Sequence, residues 1–292
     1  MTFTIQKSGA VAVCNTKGGE LTSFRHSGVE YIWQGDARYW SGQAPCLFPV
    51  VCRAKEDRVI LDGVSYPMPK HGIARKVEYT PVQVTPDTVI FQLQQSADSK
   101  KSYPYDFTLE ILHKVREDGF STTYRVTNTD TREMLFCIGG HPGFNCPMGE
   151  NEQFGDYSIY FADAAGAVAH ITEPGSGYMD PGAPALSLIQ NNELPLRYSD
   201  FDDDAIIVEN LPVKSLRLIN RDTGHGIQFD FASFDAIGFW TPVKMDAPFI
   251  CLEPWNGLPG ALDETPDFSD KKYVKRLQPG AVFETGYQVK VL

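Results

Sequence analysis

Two histidines and one glutamate stand in segments whose backbone is set by Gly and Pro: His71 in PKHGIAR, His141 in GGHPGFNCP and Glu253 in CLEPWNG. Imidazole and carboxylate are the usual side chains for moving protons near neutral pH. If the three converge, they make an acid–base site that calls for no cofactor and no metal. Pro67 and Pro69 stiffen the approach to His71, and Gly72 permits close backbone contact. Arg75, four residues on, offers a planar fork to hydroxyls or a carboxylate. Around His141, Gly139, Gly140, Pro142 and Gly143 impose a conformational cost that suits a side chain aimed into a cavity. Glu253 closes the apolar run FICLE, where burial would raise its pKa towards that of a usable base. Trp255 offers a flat face suited to stacking on a sugar ring. Each segment also has a plainer reading: a turn histidine, an incidental histidine in a Gly/Pro turn, and a strand-end glutamate paired with an arginine.

Other chemistry is less well supported. Asp202, Asp203 and Asp204 precede a strand, but the calcium-loop pattern is absent. No C-x-x-C or H-x-x-x-H spacing supports zinc. Arg53 follows the apolar run of SGQAPCLFPVVCR. His26, His113, His170 and His225 have ordinary settings and are read as structural.

The elements that must position these groups read as strands. TVIFQLQQ, AIIVEN, SLRLIN, GIQFDF and FICLE are short apolar runs rich in β-branched and aromatic residues, separated by Gly, Pro, Asp and Asn. Asp62-Gly63 and Asp118-Gly119 each sit between strand arms and predict type I′ hairpins. Phe107, Leu109 and Ile111 alternate with polar residues, the period of a half-buried sheet. Residues 265–276 leave room for a turn or short helix. Residues 172–200 read as a long loop within one domain, the kind that often carries function. The expected fold is all-β: a large antiparallel β-sandwich forming a single domain over residues 1–292.

Composition narrows the partners. With 292 residues, a formal charge of −11 and no basic stripe, the chain lacks the Lys and Arg clusters of nucleic-acid binding. No apolar run reaches membrane-spanning length, and the N-terminus lacks a signal-peptide pattern. None of the six cysteines forms a close pair, so reduced thiols and a cytoplasmic location are expected. Nothing in the sequence points to an oligomeric state.

Taken in order, the segments Trp40 to Arg53, His71 to Arg75, Gly139 to Phe144, Asp204-Ala205 and Cys251 to Gly257 resemble the aldose 1-epimerase (galactose mutarotase-like) family, and within it the LacX-type branch. The resemblance spans most of the chain. It implies an antiparallel supersandwich and an isomerase that interconverts the α and β anomers of a sugar or sugar phosphate. It further implies that His141 is the general acid at the ring oxygen and Glu253 the general base at the C1 hydroxyl. His71 would hydrogen-bond the sugar near the ring oxygen, with Arg53 and Asp204 binding sugar and Arg75 at the position that meets phosphate in a related branch. The segment after His71 follows the LacX and hexose-phosphate pattern, so galactose preference does not transfer. Two other readings stay open at this point. One is a non-catalytic carbohydrate-binding or sugar-sensing module. The other is a glycoside hydrolase or lyase using Glu253 with Asp204, which would leave the histidines unexplained.

Overall fold

The computed structural model describes residues 1–173 and 175–292. Among them the regular structure is strand, accompanied only by short 3-10 turns. Among the described residues no helix is long and apolar enough to cross a membrane. Two large sheets dominate. One has nine strands, with Glu193–Pro195 at one edge and Thr80–Val84 at the other. The hairpin Phe107–Arg116/Gly119–Asn128 and the strand Val282–Val291 lie in its interior. The other runs in the order Val168–Ile171, Ile206–Glu209, Ala236–Trp240, Phe249–Asn256, Ile138–Gly140, Cys46–Leu47. Gly143–Asn145 also pairs with Phe249–Asn256. Pairing between neighbouring strands is antiparallel throughout both sheets.

Alternation drives the packing. Phe107, Leu109, Ile111, His113 and Val115 are buried, while their neighbours along the strand are partly exposed. The two sheets meet through aromatic pairs such as Phe161–Phe239 and Phe144–Phe229, with ring centroids 5.9 and 6.0 Å apart. Such geometry adds to the area-proportional gain of burial. A four-stranded sheet from the N-terminus packs on the nine-stranded one through Phe24–Phe120 and Phe3–Phe91. All six cysteines are free.

The Asp62-Gly63 hairpin forms as expected, with φ of 51° and 76° at its two turn residues. The second hairpin is displaced by one residue. Gly119 pairs with Arg116, so Glu117 and Asp118 make the turn. Gly119 serves close approach instead: a Cβ there would lie 1.9 Å from the Val289 carbonyl oxygen. Residues 265–276 hold a 3-10 turn at Phe268–Asp270 and a strand at Lys275–Leu277.

His113 illustrates a buried histidine with a structural job. Its Nε2 lies 2.8 Å from the Gly19 carbonyl and its Nδ1 3.0 Å from Thr122 Oγ1. That pairing satisfies a neutral ring that donates through Nε2. Burial pushes its pKa down from 6.5 to about 4. The resulting stabilisation is fully present above pH 6.5 and is lost as the pH falls through 4, because the unfolded chain takes up the proton first. The expected loss is about 2–3 kcal/mol. Chemical denaturation at pH 7 and 4.5 measures it. His113→Gln should be less stable at pH 7 and show a shallower decline on acidification. Equal declines in the two proteins would assign the acid sensitivity elsewhere.

Candidate active site

His71 is held in place by its own backbone. It adopts φ 66° and Gly72 φ 73°, two successive left-handed residues. A Cβ on Gly72 would lie 2.1 Å from the Phe48 carbonyl oxygen, so the close crossing of these chains requires glycine. The His71 N–H donates to the Cys52 carbonyl at 2.7 Å. The Cys52 N–H donates back to His71 Nδ1 at 3.1 Å. With Nδ1 accepting, the ring proton belongs on Nε2. Burial, and then the neighbouring His141, hold the His71 pKa well below 6.5. His71 is therefore a neutral hydrogen-bond donor.

His141 follows the Gly139-Gly140 pair directly. Glycine is needed at both, because a Cβ would come within 2.6 Å of the Trp255 ring at Gly139 and 2.8 Å of Tyr124 Oη at Gly140. The His141 N–H is anchored on the Pro45 carbonyl at 3.1 Å. Its Nε2 lies 3.2 Å from Glu253 Oε1. Its Nδ1 is buried with no hydrogen-bond partner. Burial first, then Lys70 and Arg75, push the His141 pKa to about 3.

Glu253 is not at a strand end. Phe249–Asn256 continues through Pro254, and Glu253 sits mid-strand opposite Gly238, 2% exposed. The plain sequence signal of an apolar run stopped by Pro fails here, because flanking strands pair on both sides of it. Burial raises the Glu253 pKa well above 4.5; Lys70 opposes the shift and Asp204 adds to it. The pair is thus held towards its uncharged form, a carboxylic acid beside a neutral imidazole.

The three groups line one cavity of about 200 Å³ with Trp40, Cys52, Lys70, Arg75, Thr172, Asp204 and Trp240. Asp204 reaches it from a left-handed backbone, φ 89°, which is strained for a non-glycine residue. Arg75 is half-buried, and its Nη2 donates to the Lys70 carbonyl at 3.2 Å. The Thr172 hydroxyl is buried without a partner. Buried orphan polar atoms are scarce in folded proteins. Thr172 Oγ1, His141 Nδ1 and Trp255 Nε1 are three of them, and all belong to residues of this cavity.

Two sequence expectations change. Trp255 borders the cavity but is fully buried, so it presents no face for stacking. Its indole lies across Gly139 and Gly238, at whose positions a Cβ would come within 2.6 and 2.5 Å of the ring. The aromatic walls are instead Trp40 and Trp240, both partly exposed. Arg53 does not line the cavity. Its guanidinium is committed to Asp57 at 2.7 and 2.6 Å and to the Ser176 carbonyl at 3.0 Å, and it packs on Tyr178. It therefore braces the loop whose Gly177 reaches the cavity. Lys70, Thr172 and Trp240 were not singled out in the sequence. Lys70 is adjacent to His71 in PKHGIAR, and Thr172 opens the long loop, which were the available signals. His141, Cys251 and Glu253 place one donor atom each within 4.8 Å of one another. Burial raises the Cys251 pKa well above 9.0, so it offers a thiol and not the thiolate that metals prefer.

The architecture is that of the galactose mutarotase-like proteins. A galactose mutarotase-like protein from Lactobacillus casei superposes with a TM-score of 0.93 at 28% identity, covering 100% of both chains. A galactose mutarotase related enzyme from Lactobacillus acidophilus gives 0.92 at 25% identity, covering 100% of this chain and 97% of that one. The chain belongs to the aldose 1-epimerase family, whose profile matches residues 1–274. It is also 33% identical to the plasmid-borne protein LacX of Lactococcus lactis subsp. lactis over the full length of both chains.

Proposed function

We propose that this protein is an aldose 1-epimerase that interconverts the α and β anomers of a hexose or hexose phosphate. The observation that carries the reading is the buried His141 Nε2–Glu253 Oε1 contact of 3.2 Å beside a sugar-sized cavity. One proton serves the pair. In the reactive form Glu253 is a carboxylate and His141 an imidazolium. Glu253 takes the proton from O1, His141 gives its Nε2 proton to the ring oxygen O5, the C1–O5 bond breaks and C1=O1 forms. The pair ends as carboxylic acid and neutral imidazole, the state that burial favours. Rotation about C1–C2 and reversal of both transfers close the ring on the other face. His71 Nε2–H donates to the sugar near O5. Asp204 and Thr172 bind hydroxyls, and the chemistry needs no redox cofactor.

Two cations favour a phosphorylated substrate. Lys70 makes no ion pair among the described residues, and the guanidinium of Arg75 has only a carbonyl partner. Polarimetry of freshly dissolved α-anomers, free and phosphorylated, tests both levels. Lys70→Ala and Arg75→Ala should each raise KM for the phosphorylated sugar about tenfold, a loss of about 1.4 kcal/mol, and leave the free sugar within threefold. Equal effects on both sugars would remove the phosphate assignment. Wild-type rates no faster than buffer across the panel, with calorimetric sugar binding, would make the protein a non-catalytic carbohydrate-binding or sugar-sensing module.

A further inference from the structure

A histidine that moves protons is ordinarily oriented by a hydrogen bond at its second nitrogen, which fixes both ring plane and tautomer. His141 lacks that device: its Nδ1 is buried with no hydrogen-bond partner. Its ring is boxed by π-systems instead. The Trp40 indole stacks on its face, with centroids 4.8 Å apart and planes at 29°. Trp240 meets it edge-on at 5.6 Å and His71 at 5.4 Å.

Trp40 is itself held in a column. Phe249 stacks on it at 5.8 Å and 20°, and Trp33 stacks on Phe249 at 4.4 Å and 21°. Trp33 Nε1–H donates to the Trp40 carbonyl at 2.8 Å, tying the two ends of the column through the backbone. A Cβ on Gly42 would lie 2.5 Å from the Trp40 ring, and one on Gly143 would lie 3.2 Å from it, so the chain closes over the indole at both positions. The rings form a satellite cluster separate from the main core. So much aromatic surface ending on one imidazole is a rigid support for it.

We infer that Trp40 is a positioning residue: its stacked indole holds the His141 imidazole plane so that Nε2 faces Glu253, replacing the missing hydrogen bond at Nδ1. The inference rests on the acid–base reading of the pair. Stacking fixes the plane of the ring without an acceptor at Nδ1. The indole face also disfavours ring rotation, which would carry Nε2 away from O5.

Three variants and one spectrum test this. Trp40→Phe keeps a flat face, Trp40→Leu keeps apolar volume without one, and Trp40→Ala removes both. Leu and Ala should lower kcat about tenfold or more, the scale of a misplaced acid, with KM changing less than kcat. Phe should restore kcat to within about threefold of wild type. Denaturation midpoints are measured for each variant, to separate positioning from folding. Restoration by Leu as complete as by Phe, or a rise in KM alone, would overturn the proposal. Ring-proton NMR of His141 reads orientation without turnover. Under the indole face these protons should resonate upfield in wild type and in Trp40→Phe, and lose that shift in Trp40→Leu. Unshifted wild-type ring protons would overturn the proposal even if every variant unfolds. Absent mutarotation with upfield-shifted protons would sink the epimerase reading and leave the support of His141 standing.

Discussion

Glu253→Gln is expected to slow catalysed mutarotation at least about a hundredfold, the contribution of one positioned acid or base. The fold should survive. Gln matches the shape of the carboxyl and carries no charge, and Glu253 is held towards its neutral form by burial. Removing a buried ionisable group whose charged form is disfavoured should leave the denaturation midpoint unchanged or raise it, the usual trade between stability and activity. His141→Asn should lose activity on the same scale, because His141 must deliver a proton to O5 as Glu253 takes one from O1. The double variant should then be little worse than either single one, since residues that act as a unit are not additive. Polarimetry and denaturation of all three decide the matter. A Glu253→Gln protein within threefold of wild type would mean that the 3.2 Å pair is not the reacting centre.

Gly72→Ala carries the largest expected effect on stability. The added Cβ would lie 2.1 Å from the Phe48 carbonyl oxygen and 2.7 Å from the Pro49 nitrogen, and the residue keeps φ 73°. Backbone atoms cannot swing aside as a flexible side chain can. The two segments would have to separate where Ile73 N–H donates to that same Phe48 carbonyl. The expected cost is about 3 kcal/mol or more, combining left-handed strain with overpacking. Gly63→Ala is the control: φ is 76°, but nothing lies within 4 Å of its Cβ, so only the strain remains, about 1 kcal/mol. Denaturant midpoints for the two variants separate close packing from backbone strain. Equal losses would show that Gly72 is kept for its φ alone. Since His71 is the preceding residue, Gly72→Ala should also lose mutarotation in whatever fraction remains folded.

Local signals proved sufficient where a neighbour in sequence determines the outcome. The two-residue Asp62-Gly63 turn needs left-handed backbone, and Asp and Gly adopt it readily, so that hairpin was legible. The alternation of Phe107, Leu109 and Ile111 was legible because a sheet buries one face. At Asp118-Gly119 the same dipeptide misled, since the Val289 carbonyl, from a strand far along the chain, already required glycine at 119. Trp255 misled in the same way. Beside a glutamate it suggests a platform for a sugar, and only Gly139 and Gly238 on the flanking strands reveal that its ring is buried across them. Arg53 falls at a sugar-binding position by resemblance, and only the fold brings Asp57 and the Ser176 carbonyl to its guanidinium.

The sequence by itself determined an all-β chain and three Gly- and Pro-shaped segments bearing His71, His141 and Glu253, because backbone conformation and strand period are written in short stretches. It did not determine that Glu253 lies mid-strand, that its oxygen meets His141, that Lys70 and Thr172 face the same cavity, or that a column of rings ends on the imidazole. Those depend on strand pairing between residues more than a hundred positions apart, as between Gly139 and Trp255. Burial, which sets the protonation of the pair, exists only once the sheets have closed around it.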